Sequence, residues 1–252
     1  MLDILKIRFK QGNQYILDLK KAVVAPQFRG FPVIAEGKEL SFRPDDVCPS
    51  GAIGAAPISV DLGKCVYCGD CERACKNNEI KFSNRHKLAA DGIDKLVITS
   101  GLTADAYEKE AVKCRAEMKK IFGRSLKLRQ VSAGGCNGCE LELNACGNVN
   151  FDMGRFGIEF TASPRHSDGI VITGPVTKNM AYALEETYQA VPDPKIIIAA
   201  GSCAISGGVF AGSDEINREF FARHKVDLYI PGCPIHPLTF INGVMGMLGI
   251  TK

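Results

Sequence analysis

Cysteine is the residue type in this sequence that could do the most chemistry, and 11 of the 252 residues are cysteines. Nine of them fall into two groups of different spacing. The first group lies in the first third of the chain and the second in the last half: Cys48, Cys65, Cys68, Cys71 and Cys75, then Cys136, Cys139, Cys203 and Cys233. A cubane iron–sulfur cluster is held by four thiolates. The sequence therefore predicts two 4Fe–4S clusters on one chain, an arrangement suited to passing single electrons.

The first group contains a run from Cys65 to Cys75 with the spacing Cys-x-x-Cys-x-x-Cys-x-x-x-Cys, which is that of bacterial ferredoxins. In two-cluster ferredoxins the fourth cysteine of such a run binds the other cluster. This chain has one full run, and Cys48 stands where the tail of a second run would be. We predict that the cluster is held by Cys48, Cys65, Cys68 and Cys71. Cys75 is then left over; in the competing interpretation Cys75 is the fourth ligand and Cys48 is free.

The second group has one close pair, Cys136 and Cys139, and two single cysteines. Structural zinc usually uses two close pairs of ligands, so this spacing favours a cluster over zinc. Glycines beside the cysteines, such as Gly201 before Cys203, allow the backbone to approach a cluster closely. Cys146 follows Cys139 at helical distance and is expected to be structural.

The composition narrows the class of protein. Hydrophobic residues make up 46% of the chain and charged residues 23%, which is typical of a globular protein with a real core. The net charge is only +3 and the basic residues are scattered, so we expect no nucleic acid partner. Residues 1–10 lack the apolar stretch of a signal peptide, and no run of about 20 apolar residues predicts a membrane span. We expect a cytosolic chain whose reduced thiols bind metal rather than form disulfides.

From residue 126 onward, continuous apolar runs alternate with segments of helical period, which predicts a parallel sheet covered by helices on both faces. Cys136, Cys203 and Cys233 each follow a predicted strand. Because the carboxyl ends of parallel strands share one edge of the sheet, we expect these three loops to converge. The predicted strands are residues 126–131, 158–162, 169–173, 195–200 and 227–230, and the predicted helices are residues 140–146, 177–190 and 237–248.

Three parts are therefore expected: a small α+β ferredoxin-like domain over residues 1–100, a linking helix within residues 101–125, and an α/β domain over residues 126–252. In the first part, strands are predicted at residues 2–9, 15–19, 80–82 and 95–99. The linking helix should begin after Thr103 as N-cap and end at Gly123. Cys114 lies on the apolar stripe of that helix and is expected to be a buried core thiol.

Five segments of the second half carry a resemblance to a known family. They are Gly134-Gly-Cys-Asn-Gly-Cys-Glu-Leu-Glu142, Ser163-Pro-Arg-His166, Thr173-Gly-Pro-Val-Thr177, Gly201-Ser-Cys203 and Tyr229-Ile-Pro-Gly-Cys-Pro234. In this order they resemble the small-subunit family shared by energy-converting (group 4) nickel–iron hydrogenases and the cluster subunit next to the quinone site of respiratory complex I. The resemblance implies a flavodoxin-like domain with one 4Fe–4S cluster. It also implies the ligands of that cluster, which are Cys136, Cys139, Cys203 and Cys233.

One detail separates the two branches of that family. Complex I subunits of this kind typically have adjacent cysteines, whereas the hydrogenase branch has a Cys-x-x-Cys pair. The pair Cys136 and Cys139 is of the second kind, so the chain resembles the formate-hydrogenlyase and membrane-bound hydrogenase types. A nickel–iron centre needs two such pairs, and outside the N-terminal unit this chain has one. It is therefore expected to be a subunit without nickel.

The resemblance implies an electron-transfer subunit of a nickel–iron hydrogenase complex. The expected partners are the hydrogenase large subunit, a ferredoxin-like subunit or redox donor, and membrane-arm subunits. The chain would then be cytoplasmic and bound to the inner face of the cell membrane through those partners. Two alternatives stay open: a complex I-like quinone oxidoreductase subunit, and a free two-cluster ferredoxin-type carrier.

Three polar residues within the resembling segments each allow two interpretations. Glu142 matches an acidic position of the family and could relay protons or tune a cluster; the alternative is a carboxylate favoured by the helix start. Arg165 and His166 follow a predicted strand and could donate hydrogen bonds to the cluster or to a partner. Their alternative is a salt-bridged turn.

Overall fold

The computed structural model describes residues 2–250. The first hundred residues form short elements around two small antiparallel sheets, one of two strands and one of three. In the smaller sheet β1 pairs with β4, and in the other the order is β2-β3-β5. The elements are α1 (Leu2–Gln11), β1 (Pro32–Ile34), α2 (Pro44–Val47), β2 (Ile53–Ala55), β3 (Ile58–Asp61), α3 (Asp70–Ala74), β4 (Ile80–Phe82) and β5 (Val97–Thr99).

Two predicted strands near the N-terminus are wrong. Residues 2–9 lie in helix α1, and its described side chains are exposed. Residues 15–19 form no strand; the Ile16 N–H donates to the Asn150 carbonyl at 2.9 Å, and the Leu19 carbonyl accepts from Asn242. Alternation of apolar and polar residues stabilises a strand only where another strand offers an edge. Within residues 2–250 neither segment pairs with a strand, and the backbone satisfies its hydrogen bonds in other ways.

The linking segment is two helices, α4 (Ala104–Glu110) and α5 (Ala116–Phe122), instead of one. Thr103 is the N-cap as predicted, accepting from the Ala106 N–H at 3.2 Å. Tertiary hydrogen bonds interrupt the helix at the break: the Lys113 N–H donates to the Asp91 carboxylate at 2.9 Å, and the Arg115 N–H to the Met247 carbonyl at 3.2 Å. Cys114 falls in this break and is exposed, so the prediction of a core thiol is wrong.

The second half is the predicted α/β fold. Five parallel strands lie in the order β10-β9-β8-β6-β7. Every residue of β8 and β9 is buried, which explains why these strands are continuous apolar runs. The elements are β6 (Leu126–Ser132), α6 (Gly138–Ala145), β7 (Ile158–Phe160), β8 (Gly169–Thr173), α7 (Lys178–Ala190), β9 (Ile196–Ala200), α8 (Ser202–Ser206), α9 (Glu219–Arg223), β10 (Leu228–Ile230) and α10 (Pro237–Leu248).

The N-terminal part packs against this sheet. Ala90 and Tyr229 exchange two backbone hydrogen bonds of 3.0 and 2.8 Å, which extends the sheet beyond β10 at its edge. One apolar core also contains side chains of both halves, among them Val60, Leu62 and Ile172. The loops of the two halves are therefore held in fixed contact. Within residues 2–250, no helix is both long and apolar enough to cross a bilayer.

Two candidate iron–sulfur centres

The cysteines of the second group lie at the carboxyl edge of the parallel sheet. Cys136 is in the loop after β6 and Cys139 in the first turn of α6, Cys203 is in α8 after β9, and Cys233 is in the loop after β10. The loops are in direct contact, since a Cβ placed on Gly201 would lie 2.6 Å from the Cys139 Sγ. The predicted convergence of the three loops is confirmed.

Glycine is required at the closest of these approaches. Gly201 has φ +94°, a conformation that other residues rarely adopt, and it leaves no room for a side chain beside Cys139. Gly208, at φ +56°, passes Cys203 so closely that a Cβ would lie 3.1 Å from its Sγ. The backbone at Gly201 and Gly208 therefore lies close to the sulfurs of Cys139 and Cys203. A bulky inorganic cluster bound between these sulfurs would require such a close approach.

Burial makes the thiols of Cys139 and Cys203 hard to ionise in the absence of a bound cation. Burial, together with the nearby Glu140, Cys203 and Cys233, raises the pKa of Cys139 to about 12. Burial also raises the pKa of Cys203 to about 11, with Cys233 and Cys136 adding to the effect. Thiols in such positions act as ligands only when a bound cation stabilises the thiolate. The Cys136 and Cys233 loops also meet, because a Cβ on Gly138 would lie 3.5 Å from the Cys136 Sγ and 3.3 Å from the Pro234 Cβ.

Glu140 is a buried acidic residue that sequence reasoning overlooked in favour of Glu142. Its side chain is buried, and Oε1 accepts hydrogen bonds from the Ser132 hydroxyl at 2.7 Å and the Thr173 hydroxyl at 2.6 Å. Its position directly after Cys139 was the feature of the sequence that could have marked Glu140 as part of the site. Glu142 is half-buried, and burial raises its pKa.

Glu142 faces a cavity that also reaches the cysteine loops. The cavity is lined by Cys233, His236, Tyr67 and Arg29 among others. Residues from both halves of the chain therefore surround it.

Arg165 and His166 lie in a short 3-10 turn, and both side chains are exposed. Within residues 2–250 neither takes part in an ion pair, so the salt-bridged turn that was the alternative for them is absent from that part of the chain. Arg218, which no motif marked, contacts the Cys203 loop. Its guanidinium donates to the carbonyls of Ala204 at 2.8 Å and Ile205 at 2.7 Å.

The same guanidinium makes two longer contacts, of 3.4 Å each, to the carbonyls of Cys203 and Pro175, and it stacks on the Phe221 ring at 4.2 Å. It therefore closes the C-terminal end of α8, where carbonyls have no helical partner. Burial lowers the pKa of Arg218 and the Cys203 sulfur raises it, but an arginine stays charged in a protein. A permanent positive charge thus stands beside the Cys203 loop.

The first group of cysteines surrounds a small apolar cavity. Four of its five members line the cavity, and Cys75 is the one that does not. No carboxylate or imidazole is among the lining residues, which are Val47, Cys48, Ser50, Ala52, Ile53, Val60, Cys65, Val66, Cys68, Gly69, Cys71 and Phe82. Sulfur donors in an apolar lining suit a soft iron–sulfur centre.

Cys75 is oriented toward strand β4. Its Sγ accepts from the Ile80 N–H at 3.4 Å. Cys48, by contrast, reaches the cavity from the segment after α2 and accepts from the Ala52 N–H at 3.2 Å. Cys48 and Cys75 therefore differ in their surroundings: Cys48 lines the apolar cavity and Cys75 does not.

Burial raises the pKa of Cys65 to about 12 and that of Cys71 to about 11. Cys48 and Cys68 contribute to both shifts. Within residues 2–250, no three His, Cys, Asp or Glu side chains are close enough to hold one metal ion. A cubane distributes its four thiolates over four irons, so its ligands surround a volume instead of meeting at a point. Each group contains the four thiols that such a cluster would need.

Comparison with known proteins places the second half in a family. Residues 136–247 match the family described as the NADH ubiquinone oxidoreductase 20 kDa subunit. A probable membrane-bound hydrogenase subunit of Pyrococcus furiosus is 38% identical over 144 residues, which are 57% of this chain and 86% of that protein. An NADH-quinone oxidoreductase subunit of Heliobacterium modesticaldum is 38% identical over 157 residues, 61% of this chain and 89% of that protein.

Formate hydrogenlyase subunit 7 of Escherichia coli is also similar, with 40% identity over 145 residues, 55% of this chain and 54% of that protein. Fold and comparisons together define the class, which is an α/β subunit of an oxidoreductase complex. The chain belongs to the NADH ubiquinone oxidoreductase 20 kDa subunit family. Subunits of this family bind an iron–sulfur cluster. The cysteines at residues 48–75 lie outside the matched stretch.

Proposed function

We propose that this chain is the electron-transfer subunit of a multisubunit nickel–iron hydrogenase complex and carries two 4Fe–4S clusters. The hydrogenase relatives support the first statement, since two of them are named as subunits of a membrane-bound hydrogenase and of formate hydrogenlyase. The Cys-x-x-Cys pair at Cys136 and Cys139 supports the same branch. When bound, the clusters supply reversible one-electron transfer.

The ligands proposed for the cluster at the sheet edge are Cys136, Cys139, Cys203 and Cys233. Those proposed for the second cluster are Cys48, Cys65, Cys68 and Cys71. The single observation that carries the second assignment is the apolar cavity, which these four cysteines line and Cys75 does not. The chain itself would hold no nickel.

The proposed partners follow from the same reasoning. The large subunit would lie next to the C-terminal cluster with its nickel–iron site, and a ferredoxin-like subunit or donor enzyme would exchange electrons with the other cluster. Membrane-arm subunits would attach the complex to the inner face of the cell membrane. We also propose that the chain divides into three parts, residues 1–100, 101–125 and 126–252. One apolar core joins the first and last of these parts.

A second candidate is a quinone oxidoreductase subunit related to complex I. The description of the matching family and the NADH-quinone oxidoreductase relative favour it. Isolation of the native complex separates the candidates. Nickel with hydrogen uptake supports the hydrogenase, quinone reduction without nickel supports the second candidate, and a monomer contradicts both.

The ligand assignment has its own experiment. Iron content and electron paramagnetic resonance (EPR) spectra are compared for Cys48→Ser and Cys75→Ser. We expect Cys48→Ser to lose the N-terminal cluster, because it removes a sulfur from the cavity, and Cys75→Ser to keep it. Loss in Cys75→Ser with retention in Cys48→Ser overturns the assignment.

A further inference from the structure

A single buried hydroxyl connects the two groups of cysteines. Ser202 precedes Cys203 at the start of α8 and is 1% exposed. Its Oγ lies 2.6 Å from the carbonyl oxygen of Cys65 and 3.2 Å from that of Gly232. Cys65 belongs to the N-terminal group and is 137 residues away in the sequence. The hydroxyl of Ser202, the residue before the proposed ligand Cys203, thus contacts the backbone of Cys65, a proposed ligand of the other cluster.

The Cys65 carbonyl depends on this contact. Among the hydrogen bonds of residues 2–250, Ser202 is its partner, whereas the Gly232 carbonyl also accepts from the Ser202 N–H at 3.0 Å. Because a buried carbonyl without a donor is unfavourable, the hydroxyl points to Cys65 as its main acceptor. The shorter distance agrees with this direction.

The surroundings place the two groups face to face. Tyr67, which stands between Cys65 and Cys68 in the sequence, lines the same cavity as Cys233 and Pro234. The two candidate centres are therefore separated by this contact zone and not by the width of a domain.

We propose that Ser202 is a positioning residue for electron transfer within the chain, holding the Cys65 loop against the Cys203 loop and providing the hydrogen-bonded link between the two clusters. This inference rests on the proposed function, since it needs both clusters. With both clusters bound, Cys48, Cys65, Cys68 and Cys71 would hold one and Cys136, Cys139, Cys203 and Cys233 the other, and the clusters would supply one-electron exchange between them. The hydroxyl keeps its proton, and no covalent bond forms or breaks.

The chain contains a matched control one helical turn further on. Ser206 donates from its Oγ to the Gly63 carbonyl at 2.9 Å, so it joins the same helix to the same N-terminal loop. Neither Ser206 nor Gly63 is a proposed ligand or directly precedes one. Removal of either hydroxyl loosens the docking of the two halves, but only Ser202 lies between cluster ligands.

The experiment uses the purified complex with full-length variants of this subunit. Iron and sulfide content and EPR spectra first establish that both clusters are present and give their potentials. A photoreductant then injects an electron in a flash, and optical spectroscopy follows its redistribution between the clusters. We expect Ser202→Ala to redistribute the electron severalfold more slowly at unchanged potentials, Ser206→Ala to match the wild type, and Ser202→Thr to restore the rate.

The inference is overturned if Ser202→Ala and the wild type redistribute the electron at equal rates. It is also overturned if Ser206→Ala slows the redistribution as much as Ser202→Ala does, because both hydroxyls would then act only by docking the two halves. If Ser202→Ala does not fold, Ser202→Cys replaces it, because a thiol is a weaker donor and should give an intermediate rate. Failure of the proposed function is distinct. A wild-type subunit that contains one cluster refutes that function and the inference with it, whereas two clusters with an insensitive rate refute the inference only.

Discussion

Arg218 offers a direct test of the electrostatics around the C-terminal centre. We predict that Arg218→Gln lowers the reduction potential of the C-terminal cluster. Reduction adds negative charge, and the guanidinium beside the Cys203 loop stabilises the reduced form more than the oxidised one. Glutamine removes the charge but keeps a side-chain N–H group that can donate to the carbonyls of α8.

The size of the shift follows from the distance. The Arg218 Nη1 lies 3.4 Å from the Cys203 carbonyl. A cluster on the sulfur of that residue is then on the order of 10 Å from the charge, and at an effective dielectric constant of about 20 this gives about 1.7 kcal/mol. For a one-electron couple the same energy is a downward shift of about 70 mV.

The assay is a redox titration of the complex followed by EPR, with the two clusters read separately. Arg218→Lys keeps the charge and should stay near the wild-type potential. Arg223→Gln is the control, since Arg223 lies on the next helix, α9, is exposed and pairs with Glu185 at 2.9 Å. An unchanged C-terminal potential in Arg218→Gln, or an equal shift at both clusters, would refute the reasoning.

Two other predictions concern a glycine and a histidine. Gly201→Ala should lose the iron of the C-terminal cluster because its Cβ would lie 2.6 Å from the Cys139 Sγ; Gly212→Ala, with φ +85° and nothing within 4 Å, should keep its iron in the same analysis. Burial and the neighbouring His236 lower the pKa of His86 from 6.5 to about 4. As the pH falls, His86 is therefore protonated in the unfolded chain before it is protonated in the folded one. Its contribution to the free energy of unfolding is complete above pH 6.5 and is lost toward pH 4, by up to about 3 kcal/mol. Denaturant titrations at several pH values should show this slope in the wild type and a flatter one in His86→Gln; equal slopes would contradict it.

The parallel sheet could be predicted well from the sequence. The strand Gly169–Thr173 and the helix Pro237–Leu248 have the predicted bounds, and the other strands of that sheet differ by one or two residues at their ends. These elements are buried on defined faces, so their apolar pattern records their environment directly. Residues 2–9 carry a similar alternation but have no partner strand within residues 2–250, and the pattern alone could not reveal that.

The linking segment was mispredicted for a related reason. The apolar stripe of residues 103–122 was compatible with one helix, and the helix breaks where the backbone N–H groups of Lys113 and Arg115 find partners outside it. Asp91 and Met247, which supply those partners, are distant in the sequence. Local propensity cannot anticipate competition from such contacts.

The sequence by itself determined which residues could form metal centres and that three of their loops share one edge of a sheet, because spacing and strand order are local properties of the chain. Only the tertiary structure decided which side chains face one another. It turned Cys75 toward β4, brought Cys48 into the apolar cavity, set Arg218 against the Cys203 loop and joined Ser202 to Cys65. The contact of Ser202 with Cys65 connects segments 137 residues apart along the chain, and it forms only when the apolar core holds both halves together.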